Sequence, residues 1–305
     1  MLKTPSPTRP ERLEDLLPPE LLARIASLDV ASRRVFSGKL KGERRSKRKG
    51  ESVEFADHRQ YVMGDDLRRI DWNLFGRLDR LFLKLFLEEE DLSLHIVIDA
   101  TASQDTGEPN KFFFAQQLGA VIAAIGLINL NRVALSAFGA GSTLAHLKDL
   151  RGRRRLHDVG RFLCALEPSG TASAAEAAKR IALTRRGKGV MVFISDFFFK
   201  EGYEAPLRML VGHGYDLFAV QVLSPQEINP PIGGDLRLKD VEDGDVAELT
   251  ISAPLLNRYR ANLAAYEQRL KSFCTARGIQ HMLAPSDTDV AALVMDELRK
   301  RGLLR

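Results

Sequence analysis

Apolar residues keep two different periods along this chain. From about residue 92, short continuous apolar runs alternate with longer segments of helical composition. Leu94-His95-Ile96-Val97-Ile98-Asp99, Val133–Phe138, Gly189–Asp196, Tyr215–Leu223 and Ile279–Leu283 read as strands. Lys111–Leu130, Arg154–Leu166, Ser173–Thr184, Pro206–Val211, Pro254–Arg277 and Asp289–Arg301 read as helices. Strands with no polar face, alternating with helices, predict a doubly wound, mainly parallel sheet covered on both sides, an α/β domain over residues 92–305. Leu236–Val241 and Val246–Ile251, with Glu242-Asp243-Gly244-Asp245 between them, interrupt the alternation as a hairpin.

The first third differs. Residues 1–19 hold five of the thirteen prolines and few apolar positions, which predicts a mobile leader, and Glu20–Leu28 a short helix, together residues 1–35. Residues 36–91 read as a small β-rich segment. Ser52–Ala56 and Leu78–Leu87 are β-type runs, and Leu81–Leu87 a mostly buried strand. GDDLRRIDW, residues 64–72, lies between them with the sole tryptophan. Its mixed charges and Trp72 are expected to tie this segment to the main domain through buried ion pairs and an aromatic anchor, since buried charges need partners. Glu88–Asp91 reads as a solvated charge run.

With 305 residues, 45% hydrophobic and 28% charged, the composition is that of a soluble globular protein. The longest strongly apolar stretch, Leu118–Leu130, is short of the ~20 residues that span a bilayer, so no transmembrane segment is expected. Nor does the N-terminal sequence have the apolar region of a signal peptide. Cys164 and Cys274 are too far apart for a disulfide framework or a thiolate zinc site, so the expected location is cytoplasmic. The net charge of +5 is concentrated. Arg33 to Lys49 carries nine basic residues against Glu43, a local +8 that leaves −3 for the remainder. Such a run invites a nucleic-acid or anionic-membrane reading. With Phe36 as its one aromatic it offers no stacking platform, so a solvated or partner-facing loop is preferred. Arg151, Arg153, Arg154 and Arg155 form a second basic cluster.

The candidate chemistry sits at the strand ends. In open α/β sheets, ligands bind beyond the carboxyl ends of the strands near a topological switch point. One strand here ends in Asp99-Ala100-Thr101-Ala102-Ser103 and another in Ser195-Asp196. Alternate residues of an extended segment point the same way, so Asp99, Thr101 and Ser103 aim one carboxylate and two hydroxyls at one place. Thr171 on a later loop, and Asp196 directly or through water, would complete an all-oxygen set suited to a hard cation such as Mg²⁺, with one position open or hydrated. The competing reading is that these residues cap backbone donors.

These residues resemble the metal-ion-dependent adhesion site of von Willebrand factor type A domains, with Thr101 where serine is commoner. Gly50-Glu51-Ser52-Val53-Glu54-Phe55, Arg59-Gln60-Tyr61, Gly64-Asp65-Asp66, Arg68 and Ile70-Asp71-Trp72 resemble the signature of the bacterial domain-of-unknown-function 58 family, in which a small β-rich segment precedes a type A-like domain. The resemblance spans residues 36–302. It implies Mg²⁺ or Mn²⁺ at Asp99, Thr101, Ser103, Thr171 and Asp196, an acidic side chain of a partner in the open coordination position, and action beside a MoxR-type AAA+ ATPase in assembly or maturation. Enzyme motifs are lacking: there is no G-x-S-x-G, P-loop or H-E-x-x-H. The expectation is a non-enzymatic, metal-dependent interaction module. Its rivals are an electrostatic binder using residues 33–49 and a metal-assisted hydrolase at the same cation.

Overall fold

A proline at the first position of a helix loses no hydrogen bond, and the chain uses this early. The computed structural model describes residues 9–31, 54–87, 92–139, 144–170, 173–184, 189–239 and 246–304. They fall into two units, Met1–Lys39 with Leu92–Arg305, and Leu40–Asp91. The larger unit begins with α1 (Leu13–Leu16) and α2 (Pro19–Ile25). Leu16, Leu17, Leu21, Ile25, Leu28 and Val30 are buried in its core. The expectation of a mobile leader is therefore corrected from about Pro10 onward. The prolines mark turns and helix starts, and the leucines between them provide the apolar face that composition alone concealed.

In the smaller unit, β1 (Glu54–Gln60) and β2 (Phe82–Leu87) pair antiparallel with an irregularity between Phe55 and Asp57. The motif between them folds as a 3-10 turn followed by α3 (Trp72–Leu78). Asp66 caps the turn by accepting the Arg68 N–H at 3.0 Å. Asp71 caps α3, accepting the N–H groups of Asn73 (3.0 Å) and Leu74 (3.1 Å). The other Asp71 oxygen meets His58 Nε2 at 2.8 Å and Lys84 Nζ at 3.5 Å, and Arg59 pairs with Asp65 at 2.8 Å. These ion pairs are local to the smaller unit. Trp72 is 63% exposed and edge-on to Phe75, on a helix that buries no residue. Residues 33–49 and 88–91, on which two expectations rest, lie outside the described residues.

The larger unit is built on six strands: β3 (Ser93–Asp99), β4 (Arg132–Phe138), β5 (Ala145–Leu150), β6 (Gly189–Ser195), β7 (Tyr215–Leu223) and, last in the chain, β10 (Gln280–Pro285). β8 (Gly234–Lys239) and β9 (Val246–Ile251) form the foreseen hairpin, a separate two-stranded sheet whose turn residues lie outside the described residues. The main sheet has the order β10-β7-β6-β3-β4-β5 and is parallel except for the edge strand β5. β3, β6 and β7 are apolar along their length because helices cover both faces. Leu94, Ile96, Ile98 and their neighbours on β4, β6 and β7 face α1, α2, α4 (Lys111–Ile128), α5 (Leu156–Cys164) and the C-terminal turns. Val97, Phe138, Met191, Phe193 and Leu217 face α6 (Ala174–Thr184), α7 (Glu204–Gly212) and the end of a long helix, Ala253–Thr275. By length and composition α4 could cross a membrane, but 83% of it is buried inside this protein as the central helix of the first face.

Candidate functional site

Chain direction reverses its march across the sheet at β3: β4 lies on one side of it, and β6, then β7, on the other. The crevice between the carboxyl ends of β3 and β6 is thus the topological switch point of the sheet, and Asp99 and Asp196 flank it. Gly139, at φ +101 after β4, lets the backbone close behind this loop. A Cβ there would stand 2.4 Å from Thr101 N and 2.5 Å from Ala100 C. Ala100 N–H donates to Phe138 O at 2.7 Å, Ser169 N–H to Ala100 O at 3.1 Å, and Ala102 N–H to Gly170 O at 3.2 Å. Thr171, the next residue and one of the five candidate ligands, lies outside the described residues.

Asp99 is 1% exposed and accepts four hydrogen bonds. Its Oδ1 takes the Thr101 N–H (3.0 Å) and the Thr101 hydroxyl (2.8 Å). Its Oδ2 takes the Ser195 hydroxyl (2.7 Å) and the Gln104 amide (3.3 Å). Thr101 Oγ1 lies 3.1 Å from Ser103 Oγ, so the expected carboxylate and two hydroxyls do form one group. Burial, joined by the nearby charge of Asp196, outweighs the hydrogen bonds and pushes the Asp99 carboxyl up to about 7.

Asp196 is placed by the turn that follows β6. Phe197 takes φ +62, a left-handed conformation costly for a bulky residue. It is held there by the Tyr266 hydroxyl, which donates to Phe197 O at 2.5 Å, and by packing against Phe193 and Phe199. Asp196 Oδ1 accepts the Phe198 N–H at 3.0 Å, and its Oδ2 lies 3.0 Å from Lys111 Nζ. Lys111, fully buried, also meets Glu227 Oε1 at 2.6 Å. Burial alone would lower its proton affinity, but the two carboxylates hold its pKa above the ordinary lysine value. Glu227 is fixed in turn by the capping box of the short helix Pro225–Ile228, where its Oε2 accepts the Ser224 N–H and hydroxyl at 2.7 and 3.0 Å.

Lys111 and Glu227 went unnoticed in the sequence. Lys111 looks like an ordinary surface cation at a helix start, and its partners are 85 and 116 residues away. A weak signal was present, because a lysine in the first turn opposes the helix dipole. The second basic cluster is elsewhere. β5 runs antiparallel to β4 with Leu150 opposite Val133, so Arg151 and the exposed Arg153–Arg155 lie at the amino edge of the sheet, away from Asp99. Arg155 pairs with Asp158 at 3.0 Å.

The donor chemistry suits a hard divalent cation in part. One carboxylate and two hydroxyls converge, and the Thr101 hydroxyl can donate to Asp99 while keeping a lone pair free. Both carboxylates have their two oxygens engaged within the protein, but the partners of Asp99 are neutral, whereas Asp196 Oδ2 is tied to the Lys111 ammonium. The molecule is thus an α/β protein with an oxygen-lined crevice at its switch point. The family model described as "Protein of unknown function DUF58" matches residues 57–269, more than half the chain, and the chain belongs to that family. An uncharacterized protein of Mycobacterium tuberculosis is 28% identical over 298 residues, which cover 95% of this chain and 93% of that protein, and one of Mycobacterium bovis matches equally. Among solved structures, a conserved hypothetical protein, BatB, from Bacteroides thetaiotaomicron aligns at 13% identity with a TM-score of 0.45, covering 69% of this chain and 98% of that one. An aerotolerance-related membrane protein from Bacteroides fragilis aligns at 18% identity with a TM-score of 0.42, covering 68% and 99%.

Proposed function

We propose that this chain is a divalent-metal-dependent protein-interaction module with a von Willebrand factor type A-like domain, acting with a MoxR-type AAA+ ATPase in the assembly or maturation of other proteins. The observation that carries the reading is the grouping of Asp99, Thr101 and Ser103 oxygens at the switch point, with Thr101 Oγ1 2.8 Å from Asp99 Oδ1 and 3.1 Å from Ser103 Oγ. Asp99 would supply the anionic ligand, Thr101 and Ser103 the neutral ones. A bound Mg²⁺ or Mn²⁺ supplies Lewis acidity and net positive charge. With one carboxylate close by, that charge is under-neutralised and attracts an acidic side chain of a partner. The protein's own residues do the positioning: Ser195 and Gln104 orient Asp99 Oδ2, and Gly139 lets the loop pack against β4.

Titration calorimetry with Mg²⁺ and Mn²⁺ on wild type and Asp99→Ala tests this. Binding is expected in wild type and lost in the variant, whose circular dichroism stays native. Binding that survives Asp99→Ala unchanged sinks the assignment.

A further inference from the structure

Lys111 breaks two local rules at once. It occupies the first position of α4, where the helix dipole disfavours a cation, and its side chain has no solvent exposure. Asn110 caps the helix, accepting the Phe113 N–H at 3.0 Å, a task the ammonium, which only donates, cannot perform. A buried lysine in such a place needs paired carboxylates, and it has two: Asp196 at 3.0 Å and Glu227 at 2.6 Å. Nor is it free to drift away. The preceding loop is clamped, since Glu108 and Gln226 exchange two hydrogen bonds (2.9 and 2.7 Å) and the Ser286 hydroxyl donates to Pro109 O at 2.6 Å. The ammonium therefore has a fixed address beside the crevice between β3 and β6.

We infer that Lys111 is a built-in counter-cation that withdraws Asp196 from the divalent-ion site, so that the ion is held by Asp99 as its one protein carboxylate. This rests on the metal-site reading above and assigns that site's regulation. With Lys111 on Asp196 Oδ2, a second carboxylate is kept off the ion, and a fixed positive charge beside the crevice opposes a dication. Both effects hold the ion weakly and leave its charge for a partner's carboxylate. Glu227 is the regulator's regulator: by sharing the ammonium it limits how strongly Lys111 repels the ion.

The test uses the full-length protein and Mn²⁺ alone, read by calorimetry and by electron paramagnetic resonance of free Mn²⁺. The double variant Lys111→Met/Glu227→Gln removes one positive and one negative charge together, so local net charge is unchanged while Asp196 is released. Its dissociation constant is expected to fall tenfold or more, and adding Asp196→Asn should return it to within about threefold of wild type. Glu227→Gln alone keeps the lysine and so spares the fold. It leaves the ammonium to Asp196 and is expected to weaken Mn²⁺ binding at least threefold. A silent wild type with a binding double variant supports the inference in its strongest form. Equal affinities in wild type and a natively folded double variant, or unchanged or tighter binding in Glu227→Gln, overturn the inference and leave the metal site standing. Binding in none of the proteins overturns the metal site and the inference with it.

Discussion

Asp99 is stabilised and destabilised by the same surroundings. Its four hydrogen bonds favour the carboxylate, but burial and Asp196 disfavour it more, and the carboxyl titrates near 7. An unfolded aspartate titrates near 3.9, so the folded state binds this proton more tightly. For a raised acid, folding stability is highest below the unfolded value and declines as pH rises through the folded one, by at most ~1.4 kcal/mol per pH unit. Asp99→Asn removes the titration. In chelator, the difference in melting temperature between variant and wild type should move in the variant's favour from pH 5 to pH 8. Mg²⁺ at pH 8 should then raise the melting temperature of wild type alone. A difference that stays flat with pH in thermal melts contradicts this account. Asp99 would thus be kept for ion binding at a cost to stability.

The elements were legible wherever one physical cause dominated. Tyr215–Leu223 matches β7 end for end because its nine residues are buried on both faces and read as an unbroken apolar run. β5 was missed: it is an edge strand of mixed polarity, Ala-His-Leu-Lys-Asp-Leu, defined by its pairing with β4 rather than by its own pattern. α1 was hidden among prolines, whereas α2 was legible as the short helix Glu20–Leu28 because a proline pair marks its start. Asp99, Thr101, Ser103 and Asp196 could be read because they directly follow apolar strands, whereas Lys111 and Glu227 acquire meaning only from tertiary contact. Gly139 belongs between these cases, a recognisable strand stop whose true role is contact with the Ala100–Thr101 peptide. Gly139→Ala combines a strained φ with a collision against backbone, which cannot move aside as a side-chain tip can. It should lower the melting temperature markedly and abolish Mn²⁺ binding. Gly212→Ala, at the end of α7 with open space around it, should be neutral or mildly stabilising. Equal effects of the two in thermal melts would remove Gly139 from the site's framework.

At the scale of the whole chain, the larger unit is closed by a segment that precedes the smaller unit in sequence. Val30 bridges to Leu304, and Ala31 N–H donates to Leu303 O at 2.7 Å. The Asn129 amide donates to Leu28 O at 2.6 Å and that of Asn131 to Asp29 at 3.4 Å, while Arg132 N–H donates to Leu92 O at 3.1 Å. Residues 28–29 and Leu92 therefore meet the same short stretch, 129–132, so the last described residues before the smaller unit and the first described residue after it lie at neighbouring points of the larger unit. Such a layout is that of an insertion, which a host fold tolerates when the two ends are close. Joining Ala31 to Leu92 through a short Gly-Ser linker should accordingly preserve one cooperative thermal transition and Mn²⁺ binding, since Asp99, Thr101, Ser103, Lys111 and Asp196 all belong to the larger unit. Deleting residues 1–31 should do the reverse. It strips Leu16, Leu17, Leu21, Ile25, Leu28 and Val30 from the core, each worth ~1.5–3 kcal/mol on burial, a sum comparable to the ~5–15 kcal/mol that holds a domain together. Calorimetric scans of the two deletions decide the matter: a cooperative transition without residues 1–31, or none after excision of 32–91, would show that the division of labour along the chain is the opposite of the one proposed.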